Sequence, residues 1–390
     1  MTIGIDKIGF ATSQYVLKLQ DLAEARGVDP EKFSKGLLLN EISIAPLTED
    51  IVTLAASASN SILTDKEKEE IDMVIVATES GIDQSKAAAV FVHGLLGIQP
   101  FARSFEIKEA CYGATAALHY AKLHVENSPE SKVLVIASDI AKYGVATPGE
   151  PTQGAGSVAM LITQNPRIMA FNNDNVAQTR DIMDFWRPNY SSTPYVNGVY
   201  STQQYLDSLT TTWDEYKKRY DWTMGDFAAI CFHLPYPKLA LKGLRKMMDK
   251  NLSQEKKDSL QENFDKSILY SQMIGNIYTG SLFLGLLSLL ENAENLKAGD
   301  KIALYSYGSG AVSEFFSGEL VEGYEAYLDK ERLSKLKQRT ALSVADYEKV
   351  FFEELQLDES GSAQFAGYEH QDYALVEIVD HQRRYSKVEK

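Results

Sequence analysis

Cysteine is scarce in this chain, with two residues in 390, Cys111 and Cys231. That excludes a disulfide framework and suits a reducing compartment. The two are not spaced as metal ligands, and the six histidines are scattered, so no metal site is expected. Positive charge is also in deficit. Thirty-nine Lys and Arg face 54 Asp and Glu, a net charge of −15. A surface of that sign argues against general binding to nucleic acid or membrane, although a local basic patch can still hold phosphate. Long apolar runs are missing too. The most apolar stretch, residues 281–290, falls short of the ~20 residues that span a bilayer and reads as a buried helix. The N-terminus, Met1-Thr2-Ile3-Gly4-Ile5-Asp6, has neither the basic region nor the apolar region of a secretory signal, and it is not an Arg-rich transit peptide. The expected location is the cytoplasm.

What remains is an ordinary globular balance of 44% hydrophobic and 24% charged residues, long enough for two or three domain-sized units. Residues 3–12 read as a first strand. Residues 21–35 are polar and helical or irregular, with Asp29 a good N-cap and Pro30 a good first helical position. Small residues over 51–62 point to a buried helix, and the charge run 64–70 to a solvated turn. Ile71-Asp72-Met73-Val74-Ile75-Val76-Ala77-Thr78 is a short apolar strand of the kind buried on both faces in a parallel sheet. It runs directly into Glu79. A helix is predicted over 85–96, with His93 a packed residue on it, and a buried strand over 132–137. Gly154-Ala155-Gly156 could cradle a phosphate, but a tight turn with close packing suits it better, ahead of a strand over 158–163. Residues 171–226, rich in Tyr, Trp, Asn, Ser and Thr, read as an insertion over the core with a helix near 201–220.

Glu109-Ala110-Cys111-Tyr112-Gly113-Ala114-Thr115-Ala116-Ala117-Leu118 is the organising stretch. It places a cysteine where an irregular segment becomes an Ala-rich helix running to about residue 126. A helix N-terminus carries unpaired N–H groups and about half a positive charge. A thiol there is expected to ionise more readily, and the thiolate is the nucleophile. Free cysteine is also among the most buried residue types, so this pattern alone leaves a core cysteine open.

The chain then repeats its own plan. Phe227-Ala228-Ala229-Ile230-Cys231-Phe232-His233 is a buried strand ending in a titratable residue, as 71–79 is. Asn276-Ile277-Tyr278-Thr279-Gly280-Ser281 opens an apolar helix, as the Cys111 stretch does. Lys301-Ile302-Ala303-Leu304-Tyr305-Ser306 supplies the strand after it. Two βαβ halves about a pseudo-twofold axis follow, 1–165 and 166–390, the second carrying the insertion 171–226. Ligands gather at the carboxyl ends of strands in such sheets, so Cys111, Glu79, His233 and Asn276 are expected to meet. Residues 320–390 carry no catalytic signal and are assigned to structure.

These pieces, together with Ser138-Asp139-Ile140-Ala141-Lys142-Tyr143, Pro151-Thr152-Gln153-Gly154-Ala155-Gly156, Phe232-His233-Leu234-Pro235-Tyr236-Pro237-Lys238 and Tyr305-Ser306-Tyr307-Gly308-Ser309-Gly310, resemble the hydroxymethylglutaryl-CoA synthase family of the thiolase-like superfamily. The match covers most of the chain. The family more often has Asn and Gly where this chain has Glu109 and Ala114, a mark of the shorter bacterial branch. The resemblance implies the five-layered αβαβα thiolase fold and a homodimer. It also implies condensation of acetyl-CoA with acetoacetyl-CoA and water, on the mevalonate route to isoprenoids, with CoA thioesters as substrates and no cofactor.

By that resemblance Cys111 takes the acetyl group, Glu79 removes a proton from its methyl, and His233 binds and polarises the ketone. Backbone N–H groups of Cys111 and Ser309 would form an oxyanion hole. Asn276 would bind the acetoacetyl group, and Tyr143 would bound the acyl pocket. Lys238 and Lys242, one helical turn apart and continued by Lys246, are phosphate candidates. Asp29, Lys32, Thr152 and Ser201 match family positions near CoA or the acyl chain. Taken singly each has a plainer role: a solvated strand-end carboxylate, a hydrogen-bonded histidine, a helix cap, a solvated lysine face. Cys231 reads as core. The rival activities are a ketoacyl synthase, whose decarboxylation needs no general base, and a non-catalytic acyl-CoA-binding relative.

Overall fold

Ten strands join into one sheet in a computed structural model of the chain, which describes residues 2–389. In chain order they are β1 (Ile3–Ala11), β2 (Ile71–Ala77), β3 (Arg103–Ile107), β4 (Lys132–Ala141), β5 (Gly154–Gln164), β6 (Met169–Phe171), β7 (Val176–Thr179), β8 (Ala229–Phe232), β9 (Lys301–Gly308) and β10 (Val312–Leu320). The spatial order is β8-β9-β10-β6-β1-β5-β4-β2-β3, with β7 beside β10.

The pairing shows the repeat directly. β2 and β4 are parallel, with helix α2 (Gly113–Asn127) between them in the chain, and β5 returns antiparallel to β4. β8 and β9 are parallel, with helix α5 (Ser281–Asn292) before β9, and β10 returns antiparallel to β9. The halves meet where β6 pairs with both β1 and β10.

Alternation along the strands builds the layers, because successive side chains point to opposite faces. Met73, Ile75 and Ala77 of β2 and Ile302 and Leu304 of β9 share one cluster with Ala114, Ala117 and Ala121 of α2 and the leucines of α5. Val74 and Val76 turn instead to helix α1 (Ile51–Asn60). Ala303 and Tyr305 turn to helices α3 (Gly198–Tyr220) and α4 (Pro237–Met247). Thus α2 and α5 lie between the halves and the other helices outside, the expected αβαβα order. α5 is buried all round from Ser281 to Glu291, as an apolar helix in the centre of a large core must be. Its one carboxylate is paired: Glu291 accepts from Tyr270 Oη at 2.6 Å and Arg332 Nε at 2.9 Å.

Three local expectations change. Residues 64–70 are not a turn but hold a helix, Asp65–Glu70, closed by a reciprocal cap between Thr64 and Glu67. Glu67 is buried and bonds Lys7. Gly154 and Gly156 lie within β5 and not in a turn. A Cβ at Gly154 would sit 2.5 Å from the Ile274 carbonyl oxygen, so close backbone approach explains the glycine. The stretch 171–226 is not wholly an insertion, because β7 is part of the sheet. The predicted helix within it is α3. Cys231 is fully buried in the central cluster.

Candidate active site

β2 ends at Ala77, and the next residues are held by a buried carboxylate. Asp139, within β4, accepts five hydrogen bonds: from Thr78 Oγ1 (2.8 Å), Glu79 N (2.9 Å), Ser80 Oγ (2.8 Å), and Thr279 N and Oγ1 (3.1 and 2.5 Å). Thr279 comes from the other half, so one side chain ties both halves to the backbone of Glu79. Burial pushes the Asp139 carboxyl up from its usual value despite these donors.

The Cys111 turn packs against Gly308 at the end of β9. A Cβ there would lie 2.7 Å from the Glu109 carbonyl and the Tyr112 nitrogen. Ala110 takes φ +41°, and α2 begins two residues after the cysteine. Cys111 Sγ donates to Glu79 Oε1 at 3.1 Å. Burial first, then the Asp139 charge, pushes Glu79 up to about 8. Burial first, then Glu79, pushes the Cys111 thiol well above its usual value. This corrects the expectation from the helix N-terminus. The partial charge there is outweighed by desolvation and by a carboxylate in contact, so the resting group is a thiol bonded to the Glu79 carboxyl.

His233 follows β8. Its N–H donates to the Tyr305 carbonyl at 2.7 Å and its carbonyl accepts from Tyr205 Oη at 2.9 Å. The ring is neutral, because burial lowers it to about 3, and Nδ1 is buried without a hydrogen-bond partner. Asn276 follows Gly275, whose φ of +84° and position 1.8 Å (as a would-be Cβ) from the Gln153 carbonyl require glycine. Asn276 Nδ2 donates to Tyr143 Oη at 2.8 Å, while Oδ1 accepts from Tyr278 N and Ser281 Oγ. The amide thus ties Tyr143 to the turn before α5 and caps neither that helix nor the short one before it. Tyr143, Phe185 and Tyr278 pack their rings together beside it.

Cys111, His233, Asn276, Tyr143, Thr152, Ser201 and Ser309 all line one cavity of about 650 Å³. Glu79 does not line the cavity itself and meets it through its contact with Cys111. Lys238 and Lys242 lie on α4 off the cavity wall, half-buried and exposed respectively. Lys238 N donates to the carbonyl of Leu37, itself a lining residue, so the row starts at the mouth. Lys246 instead pairs with Asp207 at 3.6 Å. Asp29, just before a short helix of Glu31–Ser34, and Lys32 within it are exposed and do not line the cavity. Asp29 accepts from Glu31 N at 2.9 Å, as expected of a cap, but the helix starts at Glu31 and Pro30 takes the N-cap position.

Three further residues act on the site and were not singled out in the sequence. Asp139 is the second residue of a motif already noted, Ser138–Tyr143, and a carboxylate in a central parallel strand was its signal. Asp184, fully buried, accepts from Tyr307 Oη at 2.7 Å and Gly310 N at 2.9 Å. It roots a hairpin of Phe185–Trp186 paired with Tyr195–Val196. Arg187 on that hairpin donates to the Glu79 carbonyl. Neither Asp184 nor Arg187 has a local sequence signal. Among the described residues no cluster of three or more His, Cys, Asp or Glu could hold a metal, and no helix is long and apolar enough to cross a membrane.

A repeated αβαβα core that brings a cysteine with its carboxylate from one half against a histidine and an asparagine from the other defines a thiolase-like acyl-transferring enzyme. Family models described as hydroxymethylglutaryl-coenzyme A synthase N terminal and C terminal match residues 2–167, and 175–269 with 244–384, respectively. The hydroxymethylglutaryl-CoA synthase of Enterococcus faecalis is 55% identical over 92% of this chain and 94% of its own. A hydroxymethylglutaryl-CoA synthase crystal structure complexed with CoA is 68% identical, covers 100% of both chains and superposes with a TM-score of 0.98. A second structure, MvaS in complex with 3-hydroxy-3-methylglutaryl coenzyme A, is 32% identical over 100% of this chain and 99% of its own, with a TM-score of 0.87. The chain belongs to the hydroxymethylglutaryl-CoA synthase family.

Proposed function

We propose that this chain condenses acetyl-CoA with acetoacetyl-CoA and water to give 3-hydroxy-3-methylglutaryl-CoA and CoA. The observation that carries the reading is the Cys111–Glu79 contact of 3.1 Å at a cavity that His233 and Asn276 also line. Glu79 takes the thiol proton as Cys111 attacks the acetyl thioester and returns it to the departing CoA thiolate. Freed of that proton, it removes one from the acetyl methyl. His233, as a neutral imidazole, donates a hydrogen bond to the ketone of acetoacetyl-CoA, and Asn276 orients the same group. As the enolate attacks the ketone carbon, the proton Glu79 took from the methyl passes on to the new alkoxide, which gives the 3-hydroxyl and leaves Glu79 ionised for hydrolysis. Backbone N–H groups of Cys111 and Ser309 stabilise the thioester oxygen as charge develops. Tyr143, Thr152 and Ser201 bound the acyl and pantetheine path, and Lys238, Lys242, Asp29 and Lys32 receive the nucleotide end of CoA.

A decarboxylative ketoacyl synthase would have no use for a base in contact with its nucleophile. The chain works without a cofactor, as a cytoplasmic homodimer on the mevalonate route to isoprenoids, with its halves divided near residue 165. The test is mass spectrometry of the protein mixed with acetyl-CoA. An acetyl adduct on the Cys111 peptide that disappears on adding acetoacetyl-CoA, with formation of a six-carbon branched CoA ester, is the expected result. No adduct, or an adduct on Cys231, would overturn the covalent mechanism.

A further inference from the structure

The reaction proposed above, on which this inference rests, ends with water cleaving a thioester on Cys111. At that moment the acyl group is still joined at its far end to CoA. The pantetheine arm therefore still occupies the main cavity, whose walls are largely aromatic: Tyr143, Phe185, Tyr236 and Tyr278. Water needs another way in.

A second cleft of about 290 Å³ lies on the other side of the hairpin. Its lining mixes Asp50, Ser80, Lys142, Arg187, Ser191 and Ser192 with three isoleucines. Ser80 directly follows Glu79. The two cavities share no lining residue, and Glu79, which lines neither, touches Cys111 of the first and precedes Ser80 of the second. The partition is held by the Arg187 guanidinium on the Glu79 carbonyl, carried on a hairpin rooted by Asp184. The paired strands of that hairpin thus wall the acyl cavity, through Phe185, Tyr195 and Val196, and Arg187 and the tip line the second cleft.

We propose that this cleft is the entry and staging site for the hydrolytic water, with Arg187 as its gate. Water leaves the cleft past Arg187, and its oxygen bonds the thioester carbon. The carbon–sulfur bond breaks, the water proton passes to Glu79, and Glu79 returns it to the Cys111 sulfur 3.1 Å away. The products are a free carboxylic acid on the CoA ester and the thiol, with no other reactant consumed.

The test separates the half-reactions by intact-protein mass spectrometry on the full chain. Ser191→Trp is expected to acetylate Cys111 within about twofold of the unsubstituted rate, to accumulate the condensed acyl-CoA adduct, and to slow steady-state turnover by about tenfold. Arg187→Ala, with the partition open, is expected to hydrolyse acetyl-Cys111 about tenfold faster when acetoacetyl-CoA is withheld. Ser192→Trp, at the exposed tip, carries the same test if Ser191→Trp does not fold. Unchanged turnover with no condensed adduct in the folded tryptophan variant overturns the water route. Absence of acetyl-Cys111 in the unsubstituted protein overturns the condensation reading instead, so the two failures are distinguishable.

Discussion

Replacing Glu79 with Gln tests the site at its centre, because it keeps the shape and removes the charge. The Gln carbonyl can still accept from Cys111 Sγ, now 3.1 Å from the carboxylate. Two full charges at that separation repel by about 5 kcal/mol at an effective dielectric of 20. That is the ceiling on what Glu79 adds to the cost of ionising Cys111, on top of burial. The variant thiol should therefore ionise at lower pH than the natural one, a shift read from the pH dependence of iodoacetamide alkylation. Acetyl transfer should survive at reduced rate, because the thiolate is easier to form even as its proton acceptor is lost. Condensation should fall by about 10²–10⁴, the range for a general base. Burst release of CoA measures the first step, and loss of acetoacetyl-CoA absorbance measures the second. Condensation within tenfold of the natural rate would refute Glu79 as the base, and a thiol that ionises at higher pH in the variant would refute the electrostatic account.

The condensation rate should rise about tenfold per pH unit and level near 8, where Glu79 loses its proton. Because the folded protein keeps this proton to about 8 and the unfolded chain releases it near 4.5, stability should fall as pH rises across that window. A pH series of thermal melts should be flatter for Glu79→Gln. Cys231→Ser places a hydroxyl in the central apolar cluster and should cost about 1–3 kcal/mol of stability. It should still acetylate at Cys111, as peptide mapping would show. Lys238→Ala with Lys242→Ala should raise KM for both CoA esters several-fold with kcat little changed, and should weaken the salt dependence of KM. Gly275→Ala would drive a methyl into the Gln153 carbonyl at 1.8 Å. It should lower the melting temperature and cut condensation more than acetyl transfer, because Asn276 moves and Cys111 does not.

Much of this was legible because burial on both faces leaves an unambiguous mark. β2, β4 and β9 are short apolar runs, and the helices between them start with small residues because two layers press on them. The order strand, helix, strand was therefore visible twice, and it carried Glu79, Cys111, His233 and Asn276 to one place before any contact was known. Weaker signals failed where pairing, not pattern, decides structure. β6 and β7 are three and four residues long and become strands because β10, and for β6 also β1, offers an edge. The charge run 64–70 did carry a signal, a Thr-x-x-Glu cap, but its charges masked a buried Glu67.

The sign of the Cys111 shift shows why local chemistry cannot be read from position alone. A helix start lowers a thiol's pKa by stabilising negative charge, yet its partial charge acts over the same few ångströms as the Glu79 carboxylate. Which effect wins depends on whether the carboxylate is charged. That depends in turn on Asp139, which is 28 residues further along the chain than Cys111 and is held by donors from both halves. Removing Asp139's charge would relax Glu79 downward and leave more of it ionised at neutral pH, at the expense of part of the five-bond set that ties Thr78, Glu79, Ser80 and Thr279 together. The base is thus tuned and placed by the same buried carboxylate. Asp139→Asn should therefore shift the pH profile to lower values while reducing the maximal rate, whereas a purely structural residue would lower the rate without moving the profile.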